Sequence, residues 1–203
     1  MENYKTYDDL VLKNKDKVYQ VTLLGAYGCG KTSLLNKFIY GKKENTEIMS
    51  RAIENKKTNK STIKIYHNEE KNVYLRFFDP SCHKEYTRLR DLTIPVSDYV
   101  VLMYAIDNRE GFYEAQHVFS DIIKRKGKKG VKVLICATKT DKLGVCEEVS
   151  FEEGKLLGKE MNVIGRGGVS VVVDFNIKEI FDVIIKDILK KENPPKHKNF
   201  FCC

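Results

Sequence analysis

A chain of 203 residues, 42% apolar and 32% charged, suits a soluble globular domain with a full core and a short tail. Its longest strand-like apolar run, YVVLMYAI, has eight residues, which excludes a membrane-spanning helix, and six scattered cysteines exclude a disulfide framework and point to a reducing cytosol. The net charge of +8 raises nucleic acid and anionic membranes as partners, yet the lysine-rich loops 56–64 and 124–129 lack interleaved aromatics and any nucleic-acid module, so they read as solvated loops and no nucleic acid is expected.

Residues 1–16 open with MENYKTYDDL, too polar for a secretory signal, and read as a flexible extension. Apolar runs predict strands at 18–24, 62–67, 73–78, 99–106, 131–137 and 169–173, and helical patterns fall at 31–41, 110–126, 151–160 and 176–191. The last helix is the clearest: Ile177, Ile180, Phe181, Ile184, Ile185, Ile188 and Leu189 follow a period of about 3.6. HNEEKN, joining 62–67 to 73–78, reads as a hairpin turn. The other strands alternate with helices, and several are continuously apolar, as parallel strands buried on both faces require. The expected fold is α/β, a mostly parallel sheet with helices on both sides. Two prolines after Lys191 end the last helix, so a domain over 17–191 is followed by a tail, 192–203.

Between the first strand and the first helix stands GAYGCGKTS, residues 25–33, which fits the spacing G-x-x-x-x-G-K-[ST]. Glycines such as Gly28 and Gly30, with Tyr27 and Cys29 between and beside them, let backbone N–H groups turn inward around an anion. The helix starting near Lys31 aims its positive end at the same point. Lys31 adds a mobile charge for the outer phosphates, the Thr32 hydroxyl is placed to ligate Mg²⁺, and Ser33 closes the motif. The loop is expected to bind a nucleoside di- or triphosphate, and it leaves the base open.

The strand VKVLICA ends in Thr138-Lys139-Thr140-Asp141. A carboxylate at such a strand end can accept from the N1–H and N2 amino group of guanine, whereas adenine offers no such donor pair and would leave Asp141 unpaired. The aliphatic stem of Lys139 can lie along the base. Ligands of open α/β sheets bind at these strand ends, which gives the short T-K-x-D pattern its weight. Asp79, ending the strand VYLRFF, is placed by the same logic to hold the Mg²⁺ shell in the Walker B manner.

In chain order, GAYGCGKTS, DPSCH, ATKTD and the helix NIKEIFDVIIKDIL resemble the small GTPases of the Ras superfamily over about residues 17–203. The resemblance implies a P-loop NTPase fold of six strands with one antiparallel edge hairpin. It also implies GTP and GDP as ligands, Mg²⁺, and two nucleotide-sensing switch loops. Partners would include an exchange factor, an activating protein and effectors reading the surface around 44–60 and 81–95. KEYTRLRD resembles the Ras and Rab second switch, the Thr of ATKTD resembles the Rho version, and the terminal Cys-Cys resembles the Rab prenylation signal; Phe200 rules out a C-a-a-X ending. The balance favours a Rab-like member of the Ras/Rab branch.

Several positions depart from the family pattern. Tyr27 stands at a variable glycine of Ras, where a phenol either crowds the space beside the γ-phosphate or swings out to solvent. The motif D-x-x-G-Q is Asp79-Pro80-Ser81-Cys82-His83 here. Cys82 lacks the conformational freedom of glycine, and His83 replaces the water-orienting Gln with a group of different geometry. Together these predict slow hydrolysis. For the first-switch hydroxyl that closes over Mg²⁺, Ser50 is preferred to Thr58. No aromatic stands near Lys43 to pack on guanine. The S-A-K loop of the family is matched only at Ser170, with the Val171 N–H still able to meet the guanine oxygen.

Cys202 and Cys203 follow a Pro-rich linker, and two prenyl groups would supply the two anchors that stable membrane attachment needs. Lys190, Lys191, Lys196 and Lys198 add attraction for an anionic leaflet. The expected location is the cytoplasmic face of an intracellular or plasma membrane, in exchange with cytosol through a prenyl-binding chaperone. Three functions compete: a membrane-tethered GTP/GDP switch in vesicle traffic or signalling, a hydrolysis-deficient GTP-binding adaptor, and a phosphate-transferring kinase with no need of Asp141.

Overall fold

The computed structural model describes residues 17–41, 61–68, 73–80, 87–127, 130–160 and 163–192. In chain order the elements are β1 (Val18–Gly25), α1 (Lys31–Tyr40), β2 (Ser61–Asn68), β3 (Val73–Pro80), α2 (Thr87–Val96) and β4 (Tyr99–Ala105). There follow α3 (Arg109–Lys126), β5 (Lys132–Thr138), a single 3-10 turn (Thr140–Lys142), α4 (Phe151–Glu160), β6 (Gly165–Val169) and α5 (Ile177–Glu192).

Among the described residues the strands form one six-stranded sheet in the order β2-β3-β1-β4-β5-β6. β2 runs antiparallel to β3, and the other five are parallel. Every residue of β4 is buried, as a central strand covered on both faces demands. On one face α1 and α5 pack through Phe38, Phe77 and Phe181; the Phe38 and Phe181 centroids lie 4.1 Å apart, and Phe77 meets Phe181 edge-on at 5.3 Å. On the other face Ile94 of α2, Phe112 and Ile122 of α3 and Leu157 of α4 close over Leu102, Tyr104 and Ile135. The 3.6 period read in α5 is its buried stripe, since Ile177, Ile180, Phe181, Ile184, Ile185 and Ile188 all face the core.

Two expectations need correction. The last strand is Gly165–Val169, not 169–173. GRGGV carries little strand propensity of its own and forms because it pairs with β5, from Leu134 opposite Gly165 to Thr138 opposite Val169. The β-branched run that suggested a strand is a turn closed by the Ser170–Phe175 bridge, with Val172 and Val173 exposed. Helix α2 was not expected at all: TRLRDLTIPV mixes β-branched residues with an internal Pro95, and a buried Ile94 ties it to the core. Its last turn is fixed by the Ser97 hydroxyl, which donates to the Thr93 carbonyl at 2.7 Å and shares a 2.6 Å hydrogen bond with Thr22 of β1. Ser50, Thr58, Cys82, His83, Cys202 and Cys203 lie outside the described residues.

Candidate functional site

The sheet register sets the loops after β1, β4, β5 and β6 along one edge: Gly25 lies beside Met103, Ala105 beside Thr138, and Thr138 beside Val169. In the first loop Gly28 and Gly30 hold φ of 75° and 91°, a region that glycine reaches without strain. A Cβ at either position would meet nothing within 4 Å, so they border open space rather than packed atoms. No side chain caps α1 from Gly30, and the positive end of the helix faces that concavity. The Lys31 side chain is buried; its Nζ donates to the carbonyls of Gly25 (3.0 Å) and Ala26 (2.8 Å) and to the Cys29 sulfur (3.6 Å). Cys29 is buried in the core, its sulfur close under the Lys31 ammonium. Tyr27 is 72% exposed: its ring swings out to solvent and does not crowd the loop.

The Thr32 hydroxyl donates to the Asp79 carboxylate, which brings two of the three sequence-predicted metal ligands into direct contact. Among the described residues no three His, Cys, Asp or Glu side chains cluster. One hydroxyl and one carboxylate, both hard oxygen donors, fit Mg²⁺, which keeps several waters and takes phosphate oxygens, and not a metal that needs a full protein cage.

On the base side Thr138 is buried and its hydroxyl is bifurcated between the carbonyls of Cys29 (2.7 Å) and Tyr104 (3.1 Å). It braces the first loop against β4 and β5. Lys139 sits in the left-handed region (φ 59°), and its ammonium lies between the two carboxylate oxygens of Asp107 at 3.0 and 3.2 Å. Lys142 reaches the same carboxylate at 2.6 Å. Burial pushes the Asp107 carboxyl up, but hydrogen bonds from Lys142 and Lys139 outweigh it and hold the group below the usual carboxylate range. Asp107 was missed from the sequence; the signal was there, an acid directly after the predicted strand 99–106, as Asp79 directly follows the predicted strand 73–78.

Asp141 is exposed on the 3-10 turn and accepts a hydrogen bond from the hydroxyl of the fully buried Ser170. The half-buried Val171 follows, lining an open groove of about 430 Å³ with Ser33, Lys37 and Tyr40. The structure thus assembles Gly28, Gly30, Lys31, Thr32 and Asp79 around one concavity, and Asp141, Ser170 and Val171 at the neighbouring strand ends.

A sequence model of the Ras family matches residues 20–190, a span that holds both loops and nearly all of helix α5. The chain belongs to the Ras family. Among individual relatives, this Ras-family chain is similar to the GTP-binding protein Rhes of Homo sapiens, at 27% identity over 179 residues, covering 82% of this chain and 63% of Rhes. The Mus musculus Rhes matches at 26% over the same extent. The Ras-like GTP-binding protein RHO1 of Entamoeba histolytica is 28% identical over 193 residues, 91% of this chain and 83% of RHO1. The chain therefore spans 63% of the length of the Rhes proteins it matches.

Proposed function

We propose that this chain binds GTP and GDP with Mg²⁺ and acts as a molecular switch that hydrolyses GTP slowly. The reading is carried by one observation: an uncapped, glycine-bordered helix start with a buried lysine shares a sheet edge with a carboxylate held by a buried serine. Lys31 exchanges its contacts with the Gly25 and Ala26 carbonyls for phosphate oxygens, where both partners are charged and the bond is stronger than the ammonium–carbonyl bonds it leaves. Thr32, Asp79 and, from the first switch, Ser50 would hold Mg²⁺. Bound Mg²⁺ would neutralise charge across the outer phosphates. Asp141 accepts from guanine N1–H and the N2 amino group, and its bond to Ser170 sets the carboxylate plane. The stem of Lys139, tethered by Asp107, lies along the base, and the Val171 N–H meets the guanine oxygen.

Hydrolysis is water attack on the γ-phosphate, with Lys31 and backbone N–H groups stabilising the developing charge. It is slow because Cys82 and His83 replace the glycine and glutamine of the family motif; with Tyr27 in solvent, those two positions carry the impairment. Prenylation of Cys202 and Cys203 tethers the domain to the cytoplasmic face of a membrane, where a Rab-like role in vesicle traffic fits the paired cysteines. The second reading is a GTP-binding adaptor of the same fold with no useful hydrolysis, favoured by Cys82 and His83 themselves.

Asp141→Asn tests the base assignment. The variant is expected to lose GTP affinity about a hundredfold and to prefer xanthosine triphosphate, whose base carries an accepting C2 oxygen where guanine carries its donating amino group. An unchanged preference for GTP would remove Asp141 from the site.

A further inference from the structure

A cavity of about 80 Å³ lies behind the base-side turn, between the sheet and α4. Tyr104 and Ile106 wall it from β4 and its exit, Ala137 from β5, Leu143 from the turn, and Phe151 and Gly154 from α4. Gly154 is there because the helix backbone lies against the Tyr104 phenol: a Cβ would fall 2.0 Å from the hydroxyl oxygen. The Tyr104 ring is 3% exposed and pinned edge-on against Phe112, with centroids 4.9 Å apart. Its hydroxyl has no hydrogen-bond partner among the described residues and borders the cavity. Burial, with smaller effects of Cys136 and Glu153, pushes the phenol up to about 12, so the hydroxyl keeps its proton and can donate at neutral pH.

The rest of the wall is mostly apolar. The Ser150 hydroxyl is already bonded to Glu153, and the Thr140 methyl lies towards Gly168. Lys155 also lines the cavity and is engaged elsewhere, its ammonium 3.6 Å from Glu152, so a water here would have the Tyr104 hydroxyl as its main partner, short of the two to four that ordered buried waters make. An engineered cavity of roughly 150 Å³ holds benzene, so by proportion this one encloses roughly three non-hydrogen atoms, with the rest of an occupant at its mouth. Leu143 and Phe151 are 50% and 70% exposed at the rim, which lets a longer occupant continue outward over apolar surface.

We propose that this cavity binds a small apolar molecule carrying one hydrogen-bond acceptor for the Tyr104 hydroxyl, and that its occupancy slows nucleotide release. The coupling is physical. Thr140 and Leu143 line the cavity and flank Asp141 on the same turn, and the Tyr104 carbonyl accepts the Thr138 hydroxyl that braces the first loop. Filling the void removes the room into which that turn can collapse. Binding stands on the cavity alone; the effect on release rests on the guanine reading.

The test uses the full chain and butan-2-one as probe, with 2-methylbut-1-ene as a molecule of the same shape lacking the oxygen. Titration is followed at the methyl resonances of Ala137 and Leu143. Tyr104→Phe keeps the ring and removes only an unpartnered hydroxyl, so it is expected to fold. Wild type should bind butan-2-one about fivefold more tightly than Tyr104→Phe, and both should bind the alkene alike. Ala137→Leu, which fills the cavity, should abolish both. No saturable shift in wild type, or equal affinity in Tyr104→Phe, overturns the site. Release of a fluorescent GDP analogue should slow at least twofold with the methyl shifts saturated; an unchanged rate overturns the regulatory half. A wild type that holds no guanine nucleotide faults the guanine reading instead, and the methyl titration still decides the site.

Discussion

Thr138→Val exchanges a hydroxyl for a methyl of nearly the same size at the point where three strand ends meet. The wild-type hydroxyl donates to the Cys29 carbonyl at 2.7 Å and to the Tyr104 carbonyl at 3.1 Å, in a site 3% exposed. Valine leaves both acceptors without that donor in a place water does not reach. Each such loss costs about 1–3 kcal/mol, and sharing one donor between two acceptors weakens each bond, so about 2 kcal/mol is expected in total. For a domain of this size, that lowers the melting temperature by about 6 °C. The comparison must be made at one saturating GDP concentration, because bound nucleotide itself raises the transition. The same change frees the first loop from β5, so nucleotide should also leave about tenfold faster. Thr138→Ser keeps the donor and should restore most of both. A valine variant melting within 1 °C of wild type, with unchanged release, would refute the brace.

A pH dependence follows from Glu153, which is held at about 2 first by the Arg109 guanidinium and then by the Ser150 N–H and hydroxyl. Its folded value lies below the ordinary 4.5, so the stability it adds over Glu153→Gln is complete above pH 4.5 and fades as pH falls through about 2. The carboxylate is 38% exposed and screened by solvent, so the difference is at most about 1 kcal/mol, read as a gap in denaturation midpoints between pH 6 and pH 3. For hydrolysis, single-turnover assays should show His83→Gln about tenfold faster than a slow wild type; a wild-type rate already brisk and unmoved by the change would contradict the impairment.

The phosphate loop was legible because its function depends on local spacing: Gly30, Lys31 and Thr32 sit in a fixed order at a strand-to-helix turn, and the backbone angles at Gly28 and Gly30 follow from their identity. Helix α5 was legible for a similar reason, since one periodic stripe covers one sheet face. Strand β6 was not, because three glycines in GRGGV say nothing until β5 is alongside, while the more strand-like Val171-Val172-Val173 pairs with no strand among the described residues and turns back on itself. The link between Lys139 and Asp107 spans 32 positions and is set by the β4–β5 pairing, which no local pattern encodes. Tyr27 left two orientations open in the sequence, and the fold selects the solvent one.

The central claim is that Asp141 and the loop around Lys31 together hold a guanine nucleotide. Isothermal titration of the full chain in Mg²⁺ with GDP and with ADP tests it most directly. The account predicts GDP bound at least a hundredfold more tightly than ADP. Equal binding of the two, or no binding of either, would contradict it.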